Sequence, residues 1–192
     1  MDKLKEWFSK EWKFLLALLG LLVFRSLALD WYHVPSESML PTLLVGDRIV
    51  VSKSQYRVRF PFTNVTLFDL SKPAAGDIIV FEYPVDPSTT FVKRIVAVPG
   101  DRVSIREGQL FVNGEVRSWP AVKGPTLGDG EFVVEDEKYF VMGDNRMNSA
   151  DSRVWGFVSS AAILGKVHWV ALNIRFEGLT PKSEGRWGLA VH

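Results

Sequence analysis

The stretch TFVKRIVAV, residues 90–98, combines strand-forming residues with two adjacent positive charges. Its β-branched and aromatic residues predict a β-strand, yet two cations, Lys93 and Arg94, stand at its centre. Because successive side chains of a strand point to opposite faces, one of these charges must face inward or line a cleft. A solvated edge position is the more common situation for a lysine in a strand, so this segment alone predicts a strand and no function.

Further segments on either side share this β-rich composition and are separated by Gly, Pro and Asp. The pair Asn113-Gly114 is a strong signal for a hairpin turn. Helix signals beyond the N-terminus are limited to SSAAILG (159–165), which predicts a short helical or 3-10 turn. The sequence therefore predicts a mostly β fold. The predicted strands are DRIVVSK (47–53), DIIVFEY (77–83), DRVSIR (101–106), QLFVNG (109–114), EFVVE (131–135), KYFVMG (138–143) and GKVHWVALNI (165–174).

An apolar run, FLLALLGLLVF, spans residues 14–24. Counting from Trp12 to Leu29 gives 18 residues with only Lys13 and Arg25 charged, near the lower limit of the ~20 residues needed to cross a hydrocarbon core. Both charges lie near the ends, where long side chains can reach the interface. The run predicts a single membrane-spanning helix, and the lysines before it predict a cytoplasmic N-terminus.

Two alternatives stay open for this run. A secretory signal peptide also has a basic start and a short apolar region, and Ser26-Leu27-Ala28 resembles a small-x-small cleavage site. A buried helix of a globular domain could also contain eleven uninterrupted apolar residues.

Composition shifts along the chain predict its organisation. Residues 1–30 would form the cytoplasmic N-terminus and transmembrane anchor, residues 31–176 the β domain, and residues 177–192 a poorly ordered tail. The Pro- and Gly-rich stretch PAVKGPTLGDG (120–130) predicts a loop that caps a small hairpin subdomain at residues 103–136.

Overall composition excludes several classes of function. The net charge of the 192 residues is +1, which gives no reason to expect a nucleic-acid partner. The absence of cysteine excludes disulfides, thiolate metal sites and cysteine nucleophiles. The three histidines, His33, His168 and His192, show no ligand spacing, which argues against a zinc enzyme. We expect no metal and no cofactor.

The serine loop, HVPSESMLPT (33–42), is the first candidate for chemistry. Its two prolines restrict the backbone on both sides of SESML. The segment is therefore either a stiff linker or a rigid loop that holds a reactive serine in position. A serine hydroxyl needs a base to remove its proton. His33 lies in the same segment, whereas a base commonly comes from a different element. Lys93 is the other option, because burial among apolar residues lowers the pKa of a lysine.

The polar loop, MGDNRMNSADSRVWG (142–156), concentrates glycines, amides, hydroxyls and charges. Such a run contains few apolar side chains that could enter a core and many groups that form hydrogen bonds. It is either a long loop held by its own Asx turns and ion pairs, or a support whose hydroxyls orient a neutral lysine.

Together these segments resemble the bacterial type I signal peptidases, membrane-anchored Ser-Lys endopeptidases of the S26 kind. PSESMLPTLLVGDRIVV resembles the serine box of that family, GDIIVF (76–81) its following strand, FVKRIVAVPGD its lysine box, and the polar loop its C-terminal box, in the family's order. The resemblance covers roughly residues 25–53, 76–101 and 139–158. It implies an antiparallel β-sheet domain of the signal-peptidase type, with a small hairpin subdomain, on an N-terminal transmembrane helix.

The resemblance also implies roles for particular residues. Ser38 would be the nucleophile and Lys93 the general base, while the Ser36 hydroxyl and the Ser38 backbone N–H would form the oxyanion hole. Met39 would help the loop to lie against the membrane-facing substrate cleft. The other supporting residues would be Ser149, which orients the lysine, together with Asp151, Arg153, Asp144 and Arg146.

The implied activity is removal of N-terminal signal peptides from exported preproteins after small-x-small motifs, through an acyl-enzyme. The implied partners are preproteins and the lipid bilayer, with a functional monomer in the plasma (inner) membrane, a single pass and an extracytoplasmic catalytic domain. Two positions depart from the family pattern: Glu37 stands where Gly is usual, and Met147 where Asp is usual. We expect Glu37 to point to solvent or to the cleft edge.

Two rival functions are weighed against this one. The self-cleaving repressor-type proteases share the Ser-Lys arrangement, but the N-terminal apolar run argues against them. A non-catalytic, membrane-anchored β-domain that binds exported chains is the rival from another class, and the presence of both Ser38 and Lys93 argues against it.

Overall fold

The computed structural model describes residues 11–20, 29–60, 65–119, 124–177, 180–182 and 185–191. Residues 11–20 form helix α1, and Ser152–Trp155 form the single-turn helix α2. Three 3-10 turns cover Glu37–Met39, Lys53–Gln55 and Ser160–Ala162. The strands are β1 Leu29–His33, β2 Asp47–Ser52, β3 Arg57–Arg59, β4 Thr66–Asp69, β5 Ile78–Glu82, β6 Thr90–Ala97, β7 Arg102–Arg106, β8 Gln109–Val112, β9 Glu115–Val116, β10 Gly130–Val133, β11 Lys138–Met142, β12 Val158–Ser159, β13 Ile163–Asn173, β14 Arg175–Glu177, β15 Thr180–Lys182 and β16 Leu189–Ala190.

The main sheet is antiparallel throughout and has the strand order β1-β2-β13-β5-β6-β11-β12, with β16 paired to β13 beside this path. The long strand β13 pairs with β2 on one side and β5 on the other. Gly165 lies where these strands approach closely, since a Cβ there would overlap the carbonyl oxygen of Ser52. The expected mostly antiparallel β fold is confirmed.

The centre of the sheet is apolar on both faces. Along β5 the side chains alternate: Ile78 and Val80 belong to one buried cluster, Ile79 and Phe81 to another. The first cluster also includes Met39 beneath the serine loop. Strands that are buried on both faces have nearly continuous apolar sequences, and the sequences of β5 and β6 are of this kind. The charged side chains of β6 are therefore enclosed rather than solvated.

A separate four-stranded sheet, in the order β10-β7-β8-β9, occupies the region of the expected hairpin subdomain. Asn113 and Gly114 both have positive φ, 55° and 84°, and join β8 to β9 in a two-residue turn. This sheet packs through Ile105 and Leu110 on a cluster that includes Phe140 of β11. The packing brings residues 119 and 124–127 close to the polar loop. The expected division of the chain into domains stays a prediction.

The N-terminal region is described in part. The predicted spanning helix covered Trp12 to Leu29, and residues 21–28 lie outside the described part of the chain. Leu29 itself does not extend a helix: it opens β1 and pairs with Ser52 of β2, so the helical boundary expected there is wrong. Among the described residues, no helix is both long and apolar enough to span a bilayer. The apolar side chains of α1 are largely exposed, Phe14 to 64% and Leu19 to 54%.

The C-terminal tail was expected to be poorly ordered, and this expectation is wrong for its described residues. β15 pairs with β14, and Leu189 of β16 pairs with Val170 of β13. Arg186 reaches back to the loop between β1 and β2, where Nη2 donates to the carbonyl of Thr42 at 2.8 Å and lies 3.3 Å from the Asp47 carboxylate. Strand pairing and this ion pair therefore order residues whose polar, Gly-rich composition predicted disorder.

Candidate active site

The serine loop is part of a longer connection from β1 to β2 that is closed at its base. Val34 N donates to the carbonyl of Asp47, and Gly46 N donates to the carbonyl of Val34, both at 2.9 Å. The Asp47 carboxylate is buried and accepts bonds from Leu44 N and Asn173 Nδ2. Hydrogen bonds at its base hold this connection, so the serine turn at its tip has a defined position.

Ser38 sits in the 3-10 turn at the tip, with only 9% of its surface exposed. Its Oγ lies 2.6 Å from Lys93 Nζ on β6 and 3.3 Å from Ser36 Oγ. The hydroxyl and the amine are 55 residues apart in sequence. The structure thus brings the two predicted reactive groups, and the second serine, within hydrogen-bond reach of one another.

The Lys93 side chain is 4% exposed, and burial lowers its pKa from 10.5 to about 8. The carboxylates of Asp151 and Asp144 oppose this shift, because nearby negative charge favours the ammonium form. Nζ also lies 5.5 Å from the ring centroid of Phe91. A lysine whose pKa is about 8 has a substantial neutral fraction near physiological pH, and the neutral amine can accept a proton.

The polar loop closes over the serine turn from the other side. Asn145 N donates to the carbonyl of Ser38 at 3.0 Å, and Asn145 Nδ2 donates to the carbonyl of Glu37 at 3.1 Å. A Cβ at Gly143 would overlap both Ser38 O and Ser149 Oγ. Only glycine permits this close approach. The two loops are therefore held together through the backbone.

Asp151 organises the polar loop from within. Its buried carboxylate accepts from Gly143 N at 3.0 Å and forms a two-point contact with Arg153, at 2.7 and 2.8 Å. Arg153 also donates to the carbonyls of Arg146 and Ser149. A bidentate guanidinium–carboxylate pair has fixed geometry as well as charge. Ser149 Oγ is buried beside Gly143 with no partner among the described residues.

A second buried ion pair lies on the opposite face of β6 from Lys93. Arg94 and Asp144 are 1% and 0% exposed and meet through two bonds of 2.8 and 2.7 Å. Thr42 Oγ1 donates to the same carboxylate at 2.5 Å, which ties this pair to the end of the serine loop. Both predicted charges of β6 are thus buried, where the strand pattern required only one to face inward.

Arg146 faces the four-stranded sheet rather than the serine. Its Nη1 donates to Thr126 Oγ1 at 3.1 Å, its Nε donates to the carbonyl of Gly143, and its guanidinium lies 6.0 Å from the Trp119 ring. Burial lowers the pKa of Arg146 to about 10. The guanidinium links the two sheets through Thr126 and does not contact Ser38 or Lys93.

A cavity of about 560 Å³ opens in front of the reactive pair. Ser36, Glu37, Ser38 and Lys93 form its polar side. Its remaining wall is mainly apolar and includes Tyr32, Ile49, Val80, Phe91, Val92 and Ala150. The cavity therefore places a largely apolar wall next to the Ser38 hydroxyl.

Some predicted residues lie away from this cavity. Met39 is fully buried in the core and does not line it, so it supports the serine turn from beneath. Met147 is 60% exposed and packs against Gly124. His33 lines the cavity as an exposed residue, whereas His168 lies at a different cavity beside Lys166. His192 is outside the described residues.

Sequence reasoning missed three contributors: Arg94, Thr42 and Asn145. Arg94 had a usable signal, since a second cation in an apolar strand needs a buried acid, and Asp144 lies two residues beyond the end of β11. Thr42 and Asn145 had no comparable signal, because their contacts join loops that are far apart in sequence.

The geometry defines a class of chemistry: a buried hydroxyl in contact with an amine of depressed pKa, beside a cavity for an extended ligand. Such a pair can carry out acyl transfer without a metal ion. Within the described part of the chain, no group of three or more His, Cys, Asp or Glu side chains is arranged to hold a metal.

Comparisons with known proteins place the chain in a family. The sequence model of the family described as "Signal peptidase, peptidase S26" matches residues 4–172. A signal peptidase I of Pseudomonas aeruginosa is 35% identical over 192 aligned residues, covering 79% of this chain and 68% of the relative. A signal peptidase I of Aquifex aeolicus is 32% identical over 229 aligned residues, covering 87% and 85%.

Among solved structures, a signal peptidase I from Enterococcus faecalis is similar to this chain, with 31% identity and a TM-score of 0.45. The similarity covers 50% of this chain and 97% of that one. The family match covers well over half of the sequence, so the chain belongs to the signal peptidase family, peptidase S26. It is a serine peptidase, a hydrolase, of a family that removes signal peptides. The resemblance noted in the sequence is confirmed.

Proposed function

We propose that this chain is a membrane-bound serine endopeptidase that removes N-terminal signal peptides from exported preproteins after small-x-small motifs, with Ser38 as nucleophile and Lys93 as general base. The observation that carries the proposal is the 2.6 Å contact between Ser38 Oγ and a buried lysine of lowered pKa. The apolar cavity beside this contact supports a peptide substrate.

In the proposed reaction, neutral Lys93 accepts the Ser38 proton and the serine oxygen attacks the scissile carbonyl carbon. The ammonium form of Lys93 then protonates the departing amine, which leaves as the new N-terminus of the mature protein. Lys93, neutral again, then accepts a proton from water, which attacks the carbonyl carbon of the acyl-enzyme. The ester bond to Ser38 breaks, the ammonium of Lys93 returns its proton to Ser38 Oγ, and the signal peptide leaves with a free carboxyl group at its C-terminus. These steps require no cofactor.

The developing oxyanion would be stabilised by the Ser38 backbone N–H and the Ser36 hydroxyl. The 3.3 Å separation of the Ser36 and Ser38 oxygens supports this role, because it brings a second donor close to the nucleophile. The buried hydroxyl of Ser149 is a candidate partner for Lys93 that would fix the amine when it is neutral. Asp151 and Arg153 would keep the polar loop rigid around it.

The proposed substrate follows from the cavity and the family. Side chains such as Ile49, Val80 and Val92 make its wall apolar, which suits the small residues of a signal-peptide cleavage motif. An extended substrate can also add to an exposed strand edge through its backbone. Preproteins are therefore the proposed partners, and the enzyme would act as a monomer.

The proposed location is the plasma (inner) membrane, with a cytoplasmic N-terminus and the β domain on the other side. The apolar run of residues 14–24 supports a single anchor. The exposure of Phe14, Leu16 and Leu19 in α1 also supports it, because nothing in the described part of the protein buries these side chains.

The proposal is tested with Ser38→Ala and Lys93→Ala in the full chain, assayed on a preprotein with an Ala-x-Ala site. Each variant should lose cleavage by at least about 10³-fold, because either the nucleophile or its base is absent. The exposed Ser118→Ala and Lys72→Ala are the matched controls and should cleave normally. Normal turnover in Ser38→Ala or Lys93→Ala, with unfolding unchanged, would contradict the assignment.

A further inference from the structure

Glu37 occupies an unusual position for a charged residue, directly between Ser36 and the nucleophile Ser38. It is exposed and lines the rim of the cavity. The hydroxyl oxygens of the two serines lie 3.3 Å apart, and the Ser38 hydroxyl contacts Lys93. Glu37 is therefore the charged residue of the serine turn, and its side chain is exposed at the cavity.

The position of Glu37 is fixed by its backbone. Its carbonyl accepts a hydrogen bond from Leu40 N at 3.1 Å and a second from Asn145 Nδ2 at 3.1 Å. These hydrogen bonds fix the backbone of Glu37, so its side chain changes position only by rotation about its own bonds. The charge is thus held close to the reacting atoms without being part of them.

The Glu37 carboxylate forms no ion pair with any described residue. Other acids near the site, Asp144 and Asp151, are buried and neutralised by Arg94 and Arg153. Among the described residues that line the cavity, Glu37 is therefore an acid with no ion-pair partner, while most of the wall is apolar. An unbalanced charge at a substrate entrance acts on the charge of what passes it.

We propose that Glu37 is a specificity-determining residue that favours substrates with a cationic side chain, and disfavours an anionic one, at the first residue after the cleaved bond. The residues before the cut would enter the apolar cavity, and the first residue after the cut is one peptide bond from the carbonyl that Ser38 attacks, which would bring its side chain near the adjacent Glu37. This inference rests on the proposed function, since it describes the substrate of the same site.

The effect should be moderate because Glu37 is exposed. Two opposite charges about 4 Å apart in a largely aqueous setting change an equilibrium or a rate by about fivefold, equivalent to about 1 kcal/mol. We therefore expect kcat/KM to fall about fivefold from a Lys to a Gln preprotein, and about fivefold again from Gln to Glu, when only that residue differs.

The experiment uses the full chain and three preproteins that differ only in having Lys, Gln or Glu directly after the cut. Glu37→Gln should bring the three kcat/KM values close together, and Glu37→Lys should reverse their order. Because both variants alter the wall of the substrate cavity, the readout is the ratio of the three kcat/KM values within each variant, which does not depend on the absolute rate of that variant. High salt should reduce the preference, since screening shortens the reach of surface charge.

Glu135→Gln, which removes an exposed acid that does not line the cavity, is the control and should keep the full preference. Equal cleavage of the three preproteins by the unmodified enzyme, or an unchanged preference in Glu37→Gln, would overturn the inference while leaving the proposed function intact. A charge preference at the second residue before the cut, with none after it, would also overturn it. No cleavage of any of the three would refute the proposed function itself.

Discussion

Lys93 shows how the burial of a single cation lowers the stability of the folded protein. Its pKa is about 8 in the folded protein and 10.5 for an ordinary lysine, so the unfolded chain binds the proton more tightly. Stability contributed by this group therefore rises with pH between about 8 and 10.5, and the folded state carries a penalty below pH 8. At about 1.4 kcal/mol per pKa unit, the penalty is of the order of 3 kcal/mol.

This penalty predicts that Lys93→Met stabilises the protein near pH 6.5. The free energy of unfolding should increase by up to about 3 kcal/mol, because an apolar side chain of similar length needs no desolvation of charge, and the gain should shrink as the pH approaches 10.5. Denaturant titrations at pH 6.5, 8 and 10 measure it, with the more exposed Lys138→Met as control. A difference in stability that does not depend on pH would show that the lysine is not titrating as described.

At the scale of elements, the site depends on the close approach of the end of β11 to the serine turn. Gly143 makes that approach possible, because any Cβ there would overlap the carbonyl oxygen of Ser38. The same residue donates its N–H to Asp151. The contact between Ser38 and Lys93 therefore depends on how closely the end of β11 can approach the serine turn.

Gly143→Ala should consequently reduce kcat by more than 10²-fold, since a shift of about 1 Å at the reacting atoms is costly. Gly165→Ala is a matched control, because a Cβ there overlaps the carbonyl of Ser52 between β13 and β2, and neither of these two residues lines the cavity. It should lower stability to a similar extent while its folded fraction keeps normal activity. Rates and thermal unfolding are measured together; equal losses of activity in the two variants would mean that Gly143 acts on stability alone.

At the scale of the whole molecule, the N-terminal run should hold the β domain at a membrane. The double substitution of Leu16→Lys and Leu19→Lys places two charges in the apolar run, each costing about 3 kcal/mol at the centre of a bilayer. In a flotation assay at high pH, the full chain should then no longer float with the vesicles. Cleavage of a short synthetic peptide should persist, because the β-sheet is untouched.

The control for this experiment is the pair Leu127→Lys and Val133→Lys, which alters two exposed apolar residues of the smaller sheet region. This variant should stay with the vesicles. Retention of the Leu16 and Leu19 variant on vesicles would show that the run is not the anchor.

Sequence alone predicted the β-rich fold and the segments that carry the site, because β-branched runs, turn residues and a lysine in an apolar strand are local signals. It did not predict that Arg94 is buried against Asp144, or that the tail residue Arg186 reaches Thr42 and Asp47. Those contacts join segments far apart in the chain. The contact between Ser38 and Lys93, across 55 residues, likewise depends on how β6 and the loop between β1 and β2 pack. Local preferences select the strands, whereas only the packed sheet decides which side chains meet and which are removed from water, and so sets the pKa of Lys93.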